Sequence, residues 1–306
     1  MRVLLVVNPK ATGTTLRARD VLASALASTC RLDVAETKAR GHATELARDA
    51  VADELDAVVA LGGDGTVNEV VNGLLSDGPR DGLPALGVVP GGSANVFARA
   101  LGMSASPVEA TGELLDALQH DRRRTLGLAT ADDRWFTFNA GLGLDADVVR
   151  RVEQRRAAGR RATTGLYVRS GVRQFFTHTD RRTPQLVLER EGAAPEPLAL
   201  ALVCNTSPWT YLNSRPVQPC PQASFETGLD VFGLRGLATL PTLRHLGQIL
   251  ARTPRPRGRG VLSLHDLPAL TLSSSAPLPF QLDGDDLGDR TRVVLRSVPR
   301  ALTVLV

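Results

Sequence analysis

The chain has 306 residues, 43% of them hydrophobic, and a formal net charge of +4. That length carries two ordinary domains or one large one with a sizeable core, and that composition excludes a disordered chain. Aromatics make up only 4% and no nucleic-acid-binding motif occurs, so nucleic acid is not an expected partner.

All but Lys10 and Lys38 of the basic residues are arginine, a residue suited to bidentate phosphate contacts. Cys30, Cys204 and Cys220 are odd in number, far apart and without CxxC spacing, which argues against a disulfide framework or a zinc site. The five histidines show no metal spacing either. The opening "MRVLLVVNP" is too short for a signal-peptide core, and no apolar run is long enough to span a bilayer. A cytoplasmic location follows as the expectation.

In chain order, "RVLLVV" (2–7) reads as a buried strand and 13–29 as a helix, with Leu16, Val21, Leu22, Ala25 and Leu26 at helical spacing. Residues 31–36 read as a strand, 41–55 as a helix, and "DAVVALG" (56–62) as an apolar strand ending in glycine. Residues 66–75 place Val67, Val70, Val71, Leu74 and Leu75 on one helical face. "PALGVVP" (84–90) is another strand and 93–101 another helix. This alternation predicts an open, largely parallel sheet with helices on both faces. Ligands of such sheets sit at the carboxyl ends of strands, where the glycine-rich stretches fall.

After about residue 124 the texture changes. Residues 123–143 read as two strands with a polar turn, and 144–178 as an arginine-rich helical stretch. From 184 onward come short strand-like runs, from "PQLVLE" and "LALALVCN" to "RVVLR" and "LTVLV", with one helix over 239–251. That order predicts a mostly antiparallel second domain. Trp135, Phe136 and Phe138 are expected in its core. Trp209 and Tyr211 are expected at the rim of an apolar slot.

"LGGDGTVNEVVNG" (61–73) carries the chemistry. Gly62, Gly63 and Gly65 let backbone approach a ligand closely, and the helix that follows offers unpaired N–H groups to an anion. Asp64 would repel that anion unless a cation lay between them. Magnesium prefers oxygen ligands and arrives with nucleotide phosphates, so Asp64 is the expected metal ligand. Asn68, Glu69 and Asn72 share the helix's polar side. "VVNPKATG" (6–13) and "PGGSANVFARALG" (90–102) repeat the strand–loop design, with Ser93 a candidate N-cap. The alternatives are a plain strand–turn–helix bend for 61–73, a strand-end turn for 6–13 and a simple capped helix for 90–102. Neither a Walker loop nor a dinucleotide fingerprint is present.

"GGDGTVNEVVNG" closely resembles the signature of the diacylglycerol kinase catalytic-domain family, which includes bacterial lipid kinases and sphingosine kinases. In the family's order, "NPKATG", "TKARGHATELA" (37–47), "PGGSANVFARALG", "NAGLGLDADVV" (139–149) and "QLDGDDLG" (281–288) resemble its further motifs. The resemblance implies a two-domain fold. Residues 1–125 would form an NAD-kinase-like, nucleotide-binding α/β domain, onto which 292–306 pack back. Residues 126–291 would form a mostly antiparallel β-sandwich for the lipid. It implies transfer of the ATP γ-phosphoryl group to a lipid hydroxyl with Mg2+, ATP lying in the cleft between domains.

Carried over by position, Asn8, Pro9, Lys10, Ala11, Thr12, Thr37, Gly63, Asp64, Gly65, Thr66, Val67, Asn68, Glu69 and Ser93 would bind the nucleotide. Asp64 would hold the metal. Asp285 would act as general base, with Asp283 beside it in the catalytic motif.

Several positions depart from the family pattern. Asp285 stands where Glu is usual, Asp286 adjoins it, and Val96 replaces a common Asp. Gln222 and Thr227 replace two acidic positions of a second, structural magnesium site, although Asp230 remains, so that site is not expected. The alternatives are an NAD kinase, whose fold carries the same Gly-Gly-Asp-Gly turn, and a non-catalytic binding protein. Residues 150–173 hold eight arginines against Glu153, and 252–259 are also arginine-rich. Peripheral docking on an anionic membrane surface is the expectation. A homodimer is a further expectation from the family.

Overall fold

The computed structural model describes residues 1–14, 16–157, 184–212 and 214–306. Most of the arginine-rich stretch expected to be helical and membrane-facing therefore lies outside the described residues. The chain divides into two compact units, Met1–Leu128 with Pro299–Val306, and Ala129–Val298.

The first unit alternates strand and helix: β1 Arg2–Val7, α1 Leu16–Ala27, β2 Arg31–Glu36, α2 His42–Ala52, β3 Ala57–Gly62, α3 Asp64–Leu74, β4 Ala85–Pro90, α4 Val96–Ala100 and α5 Pro107–Gln119. The strands pair in parallel in the order β2–β1–β3–β4. β3 and β4 are buried at every residue, as befits strands covered on both faces. β2 is a half-exposed edge. One core cluster joins Val3, Leu5, Leu22, Leu26, Val59, Leu61, Leu114 and Leu305. Each such side chain stabilises the fold by roughly 1.5–3 kcal/mol. The order reverses between β1 and β3, which makes their carboxyl ends the topological switch point where open α/β sheets bind ligands. α5 is absent from the elements expected from sequence. Its start is nevertheless marked, since Ser106 caps Glu109 N at 3.5 Å and Pro107 opens the helix.

The second unit begins within β5 Arg123–Ala131 and continues through β6 Arg134–Phe136, β7 Asn139–Leu142, α6 Leu144–Ala157, β8 Leu186–Glu189, β9 Glu196–Leu198, β10 Leu200–Cys204, β11 Thr210–Leu212, β12 Arg215–Val217, β13 Leu229–Leu234, α7 Thr239–Ile249, β14 Val261–Leu267 and β15 Ala269–Leu282. β16, Asp285–Leu305, starts here and ends in the first unit. Pairing is antiparallel in the order β14–β13–β10–β7–β15–β16. At its far end β16 pairs in parallel with β4 through Val304 and Leu86. Trp135, Phe136 and Phe138 are buried. Among the described residues no helix is long and apolar enough to cross a membrane.

Candidate functional site

The three glycine-rich loops of the first unit leave β1, β3 and β4 on the same sheet edge and bind one another. Asn8 N–H donates to Leu61 O at 2.9 Å, and its Nδ2 donates to Thr66 Oγ1 at 2.9 Å, across the switch point. Asn8 Oδ1 turns the loop by accepting Lys10 N–H at 3.0 Å. Gly13 N–H donates to Gly91 O at 2.7 Å, Gly91 N–H to Gly62 O at 2.7 Å, and Thr12 Oγ1 lies 3.3 Å from Ser93 Oγ. Backbones nearly touch here: a Cβ on Gly92 would fall 2.6 Å from Gly63 Cα. Only glycine permits that approach.

Asp64 is half-buried as the first residue of α3, and its Oδ1 accepts Phe97 N–H at 3.1 Å. Pro9, Lys10, Thr12 and Ser93 are exposed, and Ala11, Thr37 and Gly65 partly so. Thr66, Val67 and Asn68 are buried instead, which leaves their side chains little access to a ligand. Glu69 turns away to α2, its carboxylate accepting Gly41 N–H at 2.9 Å and Ala43 N–H at 3.2 Å. Thr14, which the motifs did not single out, has a buried Oγ1 with no hydrogen-bond partner among the described residues, next to Gly91. Its hydroxyl was not legible because burial depends on the distant β4 loop.

In the second unit the Leu282–Asp285 pair closes a two-residue turn, Asp283 at φ 50° and Gly284 at φ 83°. Both central residues are left-handed, which is the hairpin geometry Asp-Gly favours. Asp283 is 5% exposed. Its carboxylate accepts Thr137 N–H at 2.7 Å, Thr137 Oγ1 at 2.8 Å, Phe138 N–H at 2.9 Å and Asn139 N–H at 3.1 Å. Burial pushes this carboxyl above its ordinary value, and the four donors pull it back. Asp283 thus anchors the turn. Asp285, the first residue after the turn, is partly exposed at the head of β16. Asp286 is gripped by Arg150 of α6, with Nε at 2.9 Å and Nη2 at 3.1 Å, and Arg150 also reaches Asp289 at 2.6 Å. Those carboxylates raise the guanidinium's affinity for its proton. Adjacent strand residues face opposite ways, so Asp285 points away from this clamp.

Beneath the turn lies a buried polar chain. Gln281 Nε2 donates to Asn139 Oδ1 at 2.8 Å and to Asp145 Oδ2 at 2.7 Å, while its Oε1 accepts Gly284 N–H at 2.9 Å. Asp145 enters only because residue 141 is glycine, where a Cβ would fall 2.1 Å from Asp145 Oδ2. Burial raises the Asp145 carboxyl to about 6, against the pull of Gln281. Asp230 is engaged by His265 Nδ1 at 2.7 Å and Asp266 N–H at 3.1 Å. Among the described residues no three His, Cys, Asp or Glu cluster in a metal-holding group.

A parallel sheet with interlocked glycine turns at its switch point, followed by an antiparallel unit, defines the fold class shared by diacylglycerol kinases and NAD kinases. A crystal structure of a diacylglycerol kinase from Bacillus anthracis superposes with a TM-score of 0.73 at 19% identity, over 99% of this chain and 96% of that one. An NAD kinase from Archaeoglobus fulgidus, solved in complex with ATP, gives 0.54 at 12% identity over 100% and 94%. Residues 2–126 match the family model of the diacylglycerol kinase catalytic domain, so the resemblance carried by the motifs holds over that stretch. The chain is 41% identical over 107 residues to the diacylglycerol kinase of Bacillus subtilis, a match covering 35% of this chain and 33% of the relative. It thus spans about a third of the length of the first curated relatives it matches.

Proposed function

We propose that the protein is a lipid kinase that transfers the ATP γ-phosphoryl group to a lipid hydroxyl at the cytoplasmic face of a membrane. The observation that carries this reading is the interlock of three glycine-rich loops at the switch point, with one carboxylate, Asp64, among backbone amides and hydroxyls. That donor set fits a phosphate chain bridged to a divalent ion. The close approach of Gly63 and Gly92 forms a cradle that a side chain would fill.

Asn8, Pro9, Lys10, Ala11, Thr12, Thr37, Gly63, Gly65 and Ser93 would line the nucleotide side, and Thr14 joins them. Thr66, Val67, Asn68 and Glu69 support the loop from behind through their burial and contacts. Magnesium, held by Asp64, would supply charge neutralisation of the phosphates. In phosphoryl transfer the protein's work is alignment and electrostatics. Loop amides orient the phosphates. Asp285 accepts the proton of the acceptor hydroxyl, while Asp283 fixes the turn and Arg150 withdraws Asp286 from competition. Asp285 is one methylene shorter than Glu, and the rigid Asp-Gly turn sets how far it reaches.

Labelled ATP supplied with diacylglycerol micelles, or with NAD, tests the assignment. Label in the lipid supports it, and label in NAD replaces it with the NAD kinase reading. No label in either, with activity created by Asp285→Glu, supports a binding protein with decayed chemistry.

A further inference from the structure

α7 carries leucines on the side that faces away from its unit. His245 and Ile249 are buried, and on a 3.6-residue period they lie opposite Leu240, Leu243 and Gly247. Leu240 is 81% exposed, Leu243 53% and Leu246 48%. Three of the eight exposed large hydrophobics among the described residues thus share one short helix.

The charge carried by α7 and the loop after it has one sign. Arg244 is exposed on α7, and Arg252, Arg255, Arg257 and Arg259 are exposed in the loop that follows. Residues 238–260 contain no Asp or Glu. The loop is held to the helix: Gln248 Nε2 donates to Arg257 O at 3.3 Å, and Arg257 N–H donates back to Gln248 Oε1 at 3.1 Å.

The face also connects to the candidate base. Arg215 of β12 donates to Leu250 O, and Gln218 N–H donates to Ile249 O at 3.4 Å. Trp209 and Leu212 pack in the same core cluster as Ile249. Trp209 O accepts Asn139 Nδ2 at 3.0 Å, and Asn139 N–H donates to Asp283. One chain of contacts runs from the Asp283–Gly284 turn to α7.

We propose that α7 and the loop 251–260 form a docking surface for an anionic lipid bilayer. The leucines enter the boundary between headgroups and acyl chains, and the arginines meet the headgroup charge. An amphipathic helix with apolar residues on one side and basic ones beside it lies in that interface. An acidic protein partner would match the arginines but not the three leucines. The use of this surface, bringing Asp285's unit to its substrate, rests on the lipid kinase reading; the docking itself does not.

Sedimentation of the full chain with vesicles, without ATP, tests it. Binding is expected to phosphatidylcholine vesicles containing a third phosphatidylglycerol, to weaken with salt, and to be slight on phosphatidylcholine alone. Arg255→Glu with Arg257→Glu is expected to lower partitioning at least ~10-fold. Leu240→Ser with Leu243→Ser is expected to lower it at least ~10-fold as well, because both side chains are buried in lipid when bound. These side chains are exposed, so unchanged circular dichroism melts will verify folding. Wild type indifferent to phosphatidylglycerol, or variants that bind as wild type does, would overturn the proposal. Leucine variants that dissolve a dimer in gel filtration while vesicle binding persists would overturn it too. A chain that docks yet phosphorylates neither vesicle lipid nor a short-chain soluble acceptor keeps the surface and loses the kinase reading. Surface variants that keep turnover on the soluble acceptor and lose it on vesicles support both.

Discussion

Asp64 and Phe97 are joined by a hydrogen bond of 3.1 Å, from the Phe97 backbone N–H to the Asp64 carboxylate. The first residue of α3 therefore closes the open end of α4, where the N-cap residue Asn95 makes no side-chain cap because its amide is bonded to Gly92 instead. One carboxylate thus ties two glycine loops together.

The cap made by Asp64 and the metal role proposed for it separate in its variants. Asp64→Ala removes the cap and is expected to lower stability by about 1 kcal/mol. Asp64→Asn keeps an acceptor oxygen, so its melting temperature should match wild type, while turnover with magnesium and ATP is lost. Full turnover in Asp64→Asn would remove the metal role.

Asp283 and Asp285 should respond in opposite ways. Asp283→Ala strands three backbone N–H groups and a hydroxyl, each unsatisfied group costing about 1–3 kcal/mol. Urea unfolding is expected to show a loss of about 3 kcal/mol or more, or a chain that fails to fold. Asp285→Asn should stay within about 1 kcal/mol of wild type and lose at least ~100-fold in turnover, the usual contribution of a positioned base. Comparable stability losses in both would remove the division between anchor and base.

Asp145 makes stability depend on pH in an unusual direction. Its carboxyl is at about 6 in the folded chain against an ordinary 3.8. The folded state binds the proton more tightly, so this contribution is full below about pH 4 and lost as pH rises through 6. The loss is about 3 kcal/mol at order of magnitude. Urea midpoints should therefore fall between pH 4 and 7 in wild type and flatten in Asp145→Asn. An Asn that leaves the slope unchanged would place the proton elsewhere.

Gly92→Ala puts a Cβ 2.6 Å from Gly63 Cα, against backbone that cannot rotate aside. The reverse change, Gly63→Ala, meets Gly92 Cα at a milder 3.2 Å. Overpacking of this kind costs about 1–3 kcal/mol. Gly92→Ala is expected to destabilise more and to raise the KM for ATP more than Gly63→Ala. Equal KM values would show that the loops do not meet at the nucleotide.

Local pattern carried much of the fold. The unbroken apolar run of β3 and the five periodic residues of α3 needed no partner to be legible, because burial on both faces writes itself into composition. α5 was missed although Ser106, Pro107 and Glu109 mark its start. In the late motif, Asp-Gly is a hairpin signal that the neighbouring Asp285 and Asp286 obscured. Roles set by distant residues were not legible. Nothing near Asp283 announces that Thr137, Phe138 and Asn139 would surround it, and nothing near Glu69 announces Gly41 and Ala43. Arg150 sorted Asp286 from Asp285 only once α6 and β16 were placed together.

The last stretch of β16 has a consequence for biosynthesis. Ala301, Leu302, Val304 and Leu305 are all buried in the first unit, beside β4 and the rest of its core. A ribosome must therefore translate the entire second unit before the earlier one can finish condensing. The nascent chain would carry its glycine-loop half unfinished, with the β4 flank unpaired, a window in which a chaperone has something to hold.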